Sequence, residues 1–163
     1  MVLYEDEPAR ALAFEVRDRL FRQFSPDLEF QFSWWRFAYL ADPMVAREAG
    51  ETAAQSDLTL VAARRRDELP DAVKDWFETW LPVREGGDAA LVSVCNADTA
   101  GRVIDEFLPA IARRANLDFL SLTRLPSRLS VDRLREDQAF TNIAGLYQAP
   151  DHHFHSSGWG IDE

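Results

Sequence analysis

Two charged runs stand out among the residues that could do chemistry, Glu5-Asp6-Glu7 and Arg64-Arg65-Arg66-Asp67. A carboxylate set beside guanidinium groups can bind a zwitterion or serve as a general base. The same charges can neutralise one another on a solvated rim, where ion pairs contribute little, and that is the default reading. Cys95, the single cysteine, is followed by Asn96, Asp98 and Thr99. A nucleophilic thiolate needs a base or a helix N-terminus beside it. Residues 96–99 lead into a helical pattern, so a helix dipole is within reach, but no histidine precedes His152. Plain packing is the default for Cys95, because free cysteine is among the most buried residue types. His152, His153 and His155 lie together with Asp151 and could share a metal only on an irregular backbone. Structural zinc usually draws its ligands from two separated segments, so no metal is assigned.

These groups meet only if the surrounding elements bring them together. Leu12, Val16, Leu20 and Phe24 recur every four residues, with Phe21 beside them, and mark an amphipathic helix over 8–24 with Pro8 at its start. Leu28, Phe30, Phe32 and Trp34 alternate with polar residues, the pattern of a strand over 28–34. A shorter helix is expected over 42–55, with Asp42 as N-cap and Pro43 at its first position. Leu58 to Ala63 and Ala89 to Val94 are nearly continuous apolar strands. Between them Pro70 opens a helix whose stripe is Val73, Trp76, Phe77, Trp80 and Leu81.

The strongest helical signal is the series Ala100, Val103, Ile104, Phe107, Leu108, Ile111 and Ala115. Leu117 to Leu122 reads as a fifth strand, and a last helix is expected from Ser130 through Leu134, Phe140, Ile143 and Tyr147 to Pro150. With Val2 to Tyr4, five strands alternate with five helices. That sequence of elements implies an α/β three-layer sandwich with a parallel sheet covered on both faces. Continuous apolar runs belong inside such a sheet and the more polar strands at its edges, which gives the order 2-1-3-4-5. Residues 1–150 then form one domain. Residues 151–163 form a tail that Phe154, Trp159 and Ile161 would dock onto it.

The stretch from Ser56-Asp57-Leu58 through Leu69-Pro70-Asp71-Ala72-Val73-Lys74-Asp75-Trp76-Phe77 resembles the third strand–loop–helix unit of flavodoxin-like proteins. The resemblance implies that fold and places ligands at the carboxyl ends of the strands. The ending Gly158-Trp159-Gly160-Ile161-Asp162-Glu163 is similar to that of an uncharacterised bacterial protein group ending in Trp-Gly-Ile-Asp/Asn-Glu, which implies no activity. Flavin binding needs a phosphate cradle after the first strand, and here that loop is Glu5-Asp6-Glu7-Pro8, acidic and short of one backbone donor. Glu5 and Asp6 resemble the acidic pair of response-regulator receivers. The third strand, however, runs into Ala62-Ala63-Arg64 where those have a phosphoacceptor aspartate, and the fifth runs into Thr123-Arg124 where they have lysine. No G-x-G-x-x-G or P-loop sequence occurs. No cofactor is therefore expected.

The 163 residues suit one domain, with 47% hydrophobic and 28% charged residues. A net charge of −10 argues against nucleic acid and anionic membrane surfaces as partners. The single cysteine, an acidic start and no long apolar stretch make the cytoplasm the expected compartment. Phe32, Trp34, Trp35, Phe37 and Tyr39 form an aromatic run that is either core on both faces of an edge strand or a patch that anchors a partner. The expected function is a cofactor-free binding or interaction protein, with another protein or a second copy as partner. The alternative is an enzyme or small-ligand binder at the strand ends, using Glu5, Asp6, Arg64, Arg65, Cys95, Asn96 and Thr99.

Overall fold

Apolar runs bounded by turns become the strands of one parallel sheet in the computed structural model, which describes residues 1–24, 29–64, 69–84, 87–96 and 103–124. The strands are β1 (Val2–Tyr4), β2 (Trp34–Arg36), β3 (Leu58–Ala63), β4 (Ala90–Asn96) and β5 (Asp118–Arg124). The order is β2-β1-β3-β4-β5 and all neighbouring pairs are parallel, so the flavodoxin-like winding is present. The helices are α1 (Glu7–Phe24), α2 (Pro43–Ala54), α3 (Asp71–Trp80) and α4 (Val103–Ala115). Short 3-10 turns follow β2 and α3, at Phe37–Ala41 and Leu81–Val83. The helix expected from Ser130 and the tail at 151–163 lie outside the described residues.

Strand alternation splits the core into two layers. Val2, Tyr4, Leu60, Ala62, Val92 and Val94 face α1, whose Ala9, Leu12, Ala13, Val16 and Leu20 are buried against them. Leu3, Val61, Ala63, Leu91 and Cys95 face the other way, toward α2, α3 and α4. Trp76, Phe77 and Trp80 fill that second layer, each 2% exposed or less. The Trp76 indole N–H donates to Ala46 O across 2.9 Å and ties α3 to α2. Gly50 of α2 lies against this layer, and a Cβ there would stand 3.4 Å from Trp80 Cβ, at ordinary contact distance.

Helix ends follow local chemistry. Asp42 caps α2 as expected, its Oδ1 accepting from the Met44 and Val45 amides at 2.8 and 3.3 Å, with Pro43 as the first helical residue. Arg84 reaches the other end of α2 and donates to the carbonyls of Ala53, Ala54 and Ser56. Asn116 ends α4 with φ at 53°, while Leu117 N–H returns to Ala112 O at 2.8 Å and Asn116 N–H to Arg113 O at 3.4 Å. Between helices α3 and α4, Arg114 grips both oxygens of Glu78 at 2.6 Å, and that hydrogen bonding holds the Glu78 carboxyl below the usual carboxylate range.

Three sequence expectations are corrected. The second strand lies at Trp34–Arg36, not 28–34. The ladder can be no longer than its partner β1, and it opens with Val2 N–H donating to Ser33 O at 2.8 Å. The alternation nevertheless holds its direction, with Phe30, Phe32 and Trp34 packed on the α1 side and Trp35 on the other. Val103 is exposed, not part of the buried face of α4, which centres on Ile104, Leu108, Ile111 and Ala112. Phe21 is 49% exposed, because the buried face of α1 passes through Leu20 and Ala13 instead.

Candidate functional site

The carboxyl ends of β1 and β3 bring Glu5, Asp6 and Arg64 together, as the strand order requires. Glu5 N–H extends the β1–β3 ladder by donating to Ala62 O at 3.0 Å. The Glu5 carboxylate accepts from Arg64 N–H at 2.8 Å. Asp6 has two roles. Its Oδ1 accepts from Ala9 N–H at 3.0 Å and its carbonyl from Arg10 N–H at 2.8 Å, which makes it the N-cap of α1. Its Oδ2 lies 3.0 Å from Arg64 Nε. The side chain of Asp6 is 26% exposed and that of Arg64 48%, so this ion pair is partly screened by water.

Cys95 stands beside Ala63 in the β3–β4 register, but its side chain points into the α2–α4 layer and is 2% exposed. That burial matches the packing reading. Asn96 closes β4, and only its backbone is described. Arg65 and Thr99, and the histidines 152, 153 and 155, lie outside the described residues. Among the described residues, no group of three His, Cys, Asp or Glu side chains could hold a metal. No helix among them is long and apolar enough to cross a membrane.

A second cluster gathers where α1 crosses β1 and β2. Phe14 and Trp34 stack with centroids 4.4 Å apart, and Tyr4 meets the Trp34 ring edge-on at 6.4 Å. Phe32, Phe30 and Phe21 continue the ring contacts along the edge, at 6.5, 5.9 and 5.8 Å. The Arg10 guanidinium lies over three of these rings, 5.1 Å from Phe14, 5.8 Å from Tyr4 and 5.9 Å from Trp34, and Arg17 lies 4.4 Å from Phe14. Arg36 ends β2 directly opposite Tyr4. The sequence reading left Arg10 and Arg36 out of the candidate set. The signals available were the four-residue spacing from Arg10 to Phe14 and the alternate positions of Trp34 and Arg36. Both gain meaning only once β2 is placed beside β1.

No protein-family model matches this chain, and neither the curated proteins nor the solved structures give a match. The fold therefore stands on its strand order and register, and function on the chemistry of its surfaces.

Proposed function

We propose that this protein is a cofactor-free binding or interaction protein on a flavodoxin-like frame, working through the surface around its edge strand β2. The observation that carries the reading is the set of large apolar side chains bordering that edge. Phe21, 49% exposed, touches Phe30 just ahead of β2, while Tyr39 and Met44, 55% and 73% exposed, follow it. Large exposed side chains of this kind at a sheet edge serve as interface anchors. The strand-end charges give less support to a reactive centre. Asp6 is occupied as a helix cap and ion-pair partner, Glu5 holds the Arg64 backbone, and Cys95 is buried. An acidic loop whose aspartate takes the Ala9 N–H also makes a poor phosphate cradle for a flavin.

The test is site-specific photo-crosslinking in the host cell, with the crosslinker placed in turn at Phe21, Tyr39 and, as a control on α4 away from β2, the exposed Glu106. The reading expects one discrete adduct from Phe21 or Tyr39 and none from Glu106. An adduct of twice the chain mass would name a second copy as the partner. Absence of any discrete adduct at both aromatic positions would sink the proposal.

A further inference from the structure

Arg10 and Arg36 share the α1 side of the sheet, and among the described residues only Arg10 has a carboxylate partner, Glu7. Arg36 is the register partner of Tyr4, and it lies two residues beyond Trp34, so alternation sets all three side chains on one face. Arg10 approaches the same two rings from α1, at 5.8 Å from Tyr4 and 5.9 Å from Trp34. Adjacent strands lie ~5 Å apart, so Arg36 projects from the strand beside Tyr4 onto the same face that Arg10 covers from α1. The Nε atom of each arginine is buried and has no hydrogen-bond partner. Arg10 has the exposed carboxylate of Glu7 at 3.4 Å, and its side chain is 38% exposed, so its outer nitrogens reach water. No carboxylate among the described residues pairs with Arg36.

Two like charges in partly desolvated surroundings repel, and a buried N–H without an acceptor is costly. Aromatic faces offset part of that cost for Arg10. They do not supply an acceptor for Arg36. An anion held between the two groups would remove both penalties, and a guanidinium fork matches the two oxygens of a carboxylate or phosphate. The cluster also stands at the carboxyl ends of β1 and β2, the edge at which open α/β sheets take ligands.

We propose that Arg10 and Arg36, over the floor of Tyr4 and Trp34, form a binding site for an oxyanion, the phosphate or carboxylate group of a small ligand. This site is separate from the Asp6–Arg64 pair and does not depend on the partner reading. Arg10 supplies a guanidinium already oriented by three rings, and Arg36 supplies a charge that has no carboxylate partner among the described residues.

Nitrogen-15 NMR of the full chain reads the site directly, because buried Nε–H groups exchange slowly enough to be seen. The chain is titrated with inorganic phosphate, with acetate, and with chloride at matched ionic strength. Saturable shifts of the Arg10 and Arg36 Nε–H signals are expected with an oxyanion but not with chloride, at about millimolar dissociation constants. Saturation by phosphate alone assigns a phosphate group, and saturation by acetate alone a carboxylate. In Arg36→Gln the affinity read at Arg10 should fall at least about tenfold, as expected for loss of a charge-assisted bidentate contact. Arg36→Lys serves as the second variant, and it should also bind more weakly because it lacks the fork. Linear shifts no larger than those of the exposed Arg47 would overturn the proposal, as would unchanged binding in both variants.

Discussion

The rings of Phe14 and Trp34 stack 4.4 Å apart with planes 25° from parallel, and this contact fastens helix α1 to the edge strand β2. β2 has only three ladder residues and one neighbouring strand among the described residues, so its place depends on side-chain contacts more than on backbone pairing. Trp34→Ala is expected to cost about 2–4 kcal/mol, near the lower values for aromatic truncation because the site is half-buried. Phe14→Leu keeps most of the apolar volume and should cost about 1 kcal/mol. Urea unfolding checks both, and equal losses for the two would mean that stacking does not hold the edge.

Asp6 carries a cap and an ion pair at once, and two substitutions separate them. Asp6→Asn keeps an oxygen for the Ala9 amide and loses only the charge facing Arg64, so its cost should stay within about 1 kcal/mol. Asp6→Ala loses both and should cost about 1–2 kcal/mol. Arg64→Ala should change stability by about 0.5 kcal/mol, since it removes one side of a half-exposed pair. If Asp6→Asn proves as damaging as Asp6→Ala, the ion pair outweighs the cap.

A methyl group on Gly50 would meet Trp80 Cβ at 3.4 Å, Trp76 Nε1 at 3.7 Å and Thr79 Oγ1 at 3.8 Å. Gly50→Ala places Cβ at ordinary contact distance and gains helix propensity, so stability should rise by up to about 1 kcal/mol. Gly50→Leu must push α2 off α3 and should cost about 1–3 kcal/mol. Thermal melts of both variants decide it; a destabilising alanine would show that the Trp76–Trp80 layer cannot yield at all.

The Met1 amine of this chain donates to Leu58 O at 2.8 Å, and burial lowers its pKa from 8.0 to about 6, against a smaller opposing pull from Asp57. Above pH 8 the amine is neutral in the folded and the unfolded chain alike, and it adds no pH dependence. Between pH 8 and pH 6 the unfolded chain binds a proton that the folded chain does not, so stability falls as the pH falls. Below pH 6 both forms are protonated and this contribution is constant. The two-unit gap corresponds to about 2–3 kcal/mol lost from pH 8.5 to pH 6. Urea titrations at the two pH values measure it, and Nα-acetylation should flatten the slope while leaving the histidines in place. A slope that survives acetylation would assign the effect to other groups.

Much of the fold was legible in short stretches of chain. The nearly continuous apolar run Leu58–Ala63 is the central strand β3, Asp42-Pro43 starts α2, and the Val73–Trp76–Phe77–Trp80 stripe is the buried face of α3. Each of these depends on contacts within about one helical turn or on strand alternation, so the residues that determine it are near neighbours in sequence. The contrast between continuous and alternating strands then gave the sheet order, because it records how many faces each strand buries.

What the tertiary structure alone decided lies between residues far apart in sequence. Glu5 and Arg64 are 59 residues apart, and their hydrogen bond exists only because the crossover through α1, β2 and α2 returns β3 to the side of β1. The length of β2 was set by its three-residue partner, which its own alternation could not express. The same holds for Arg10 above Trp34 and for Arg36 beside Tyr4. Residue type and spacing determine which faces are apolar and where helices begin. Which charges meet is determined by strand pairing, and that is fixed only when the whole sheet closes its two layers.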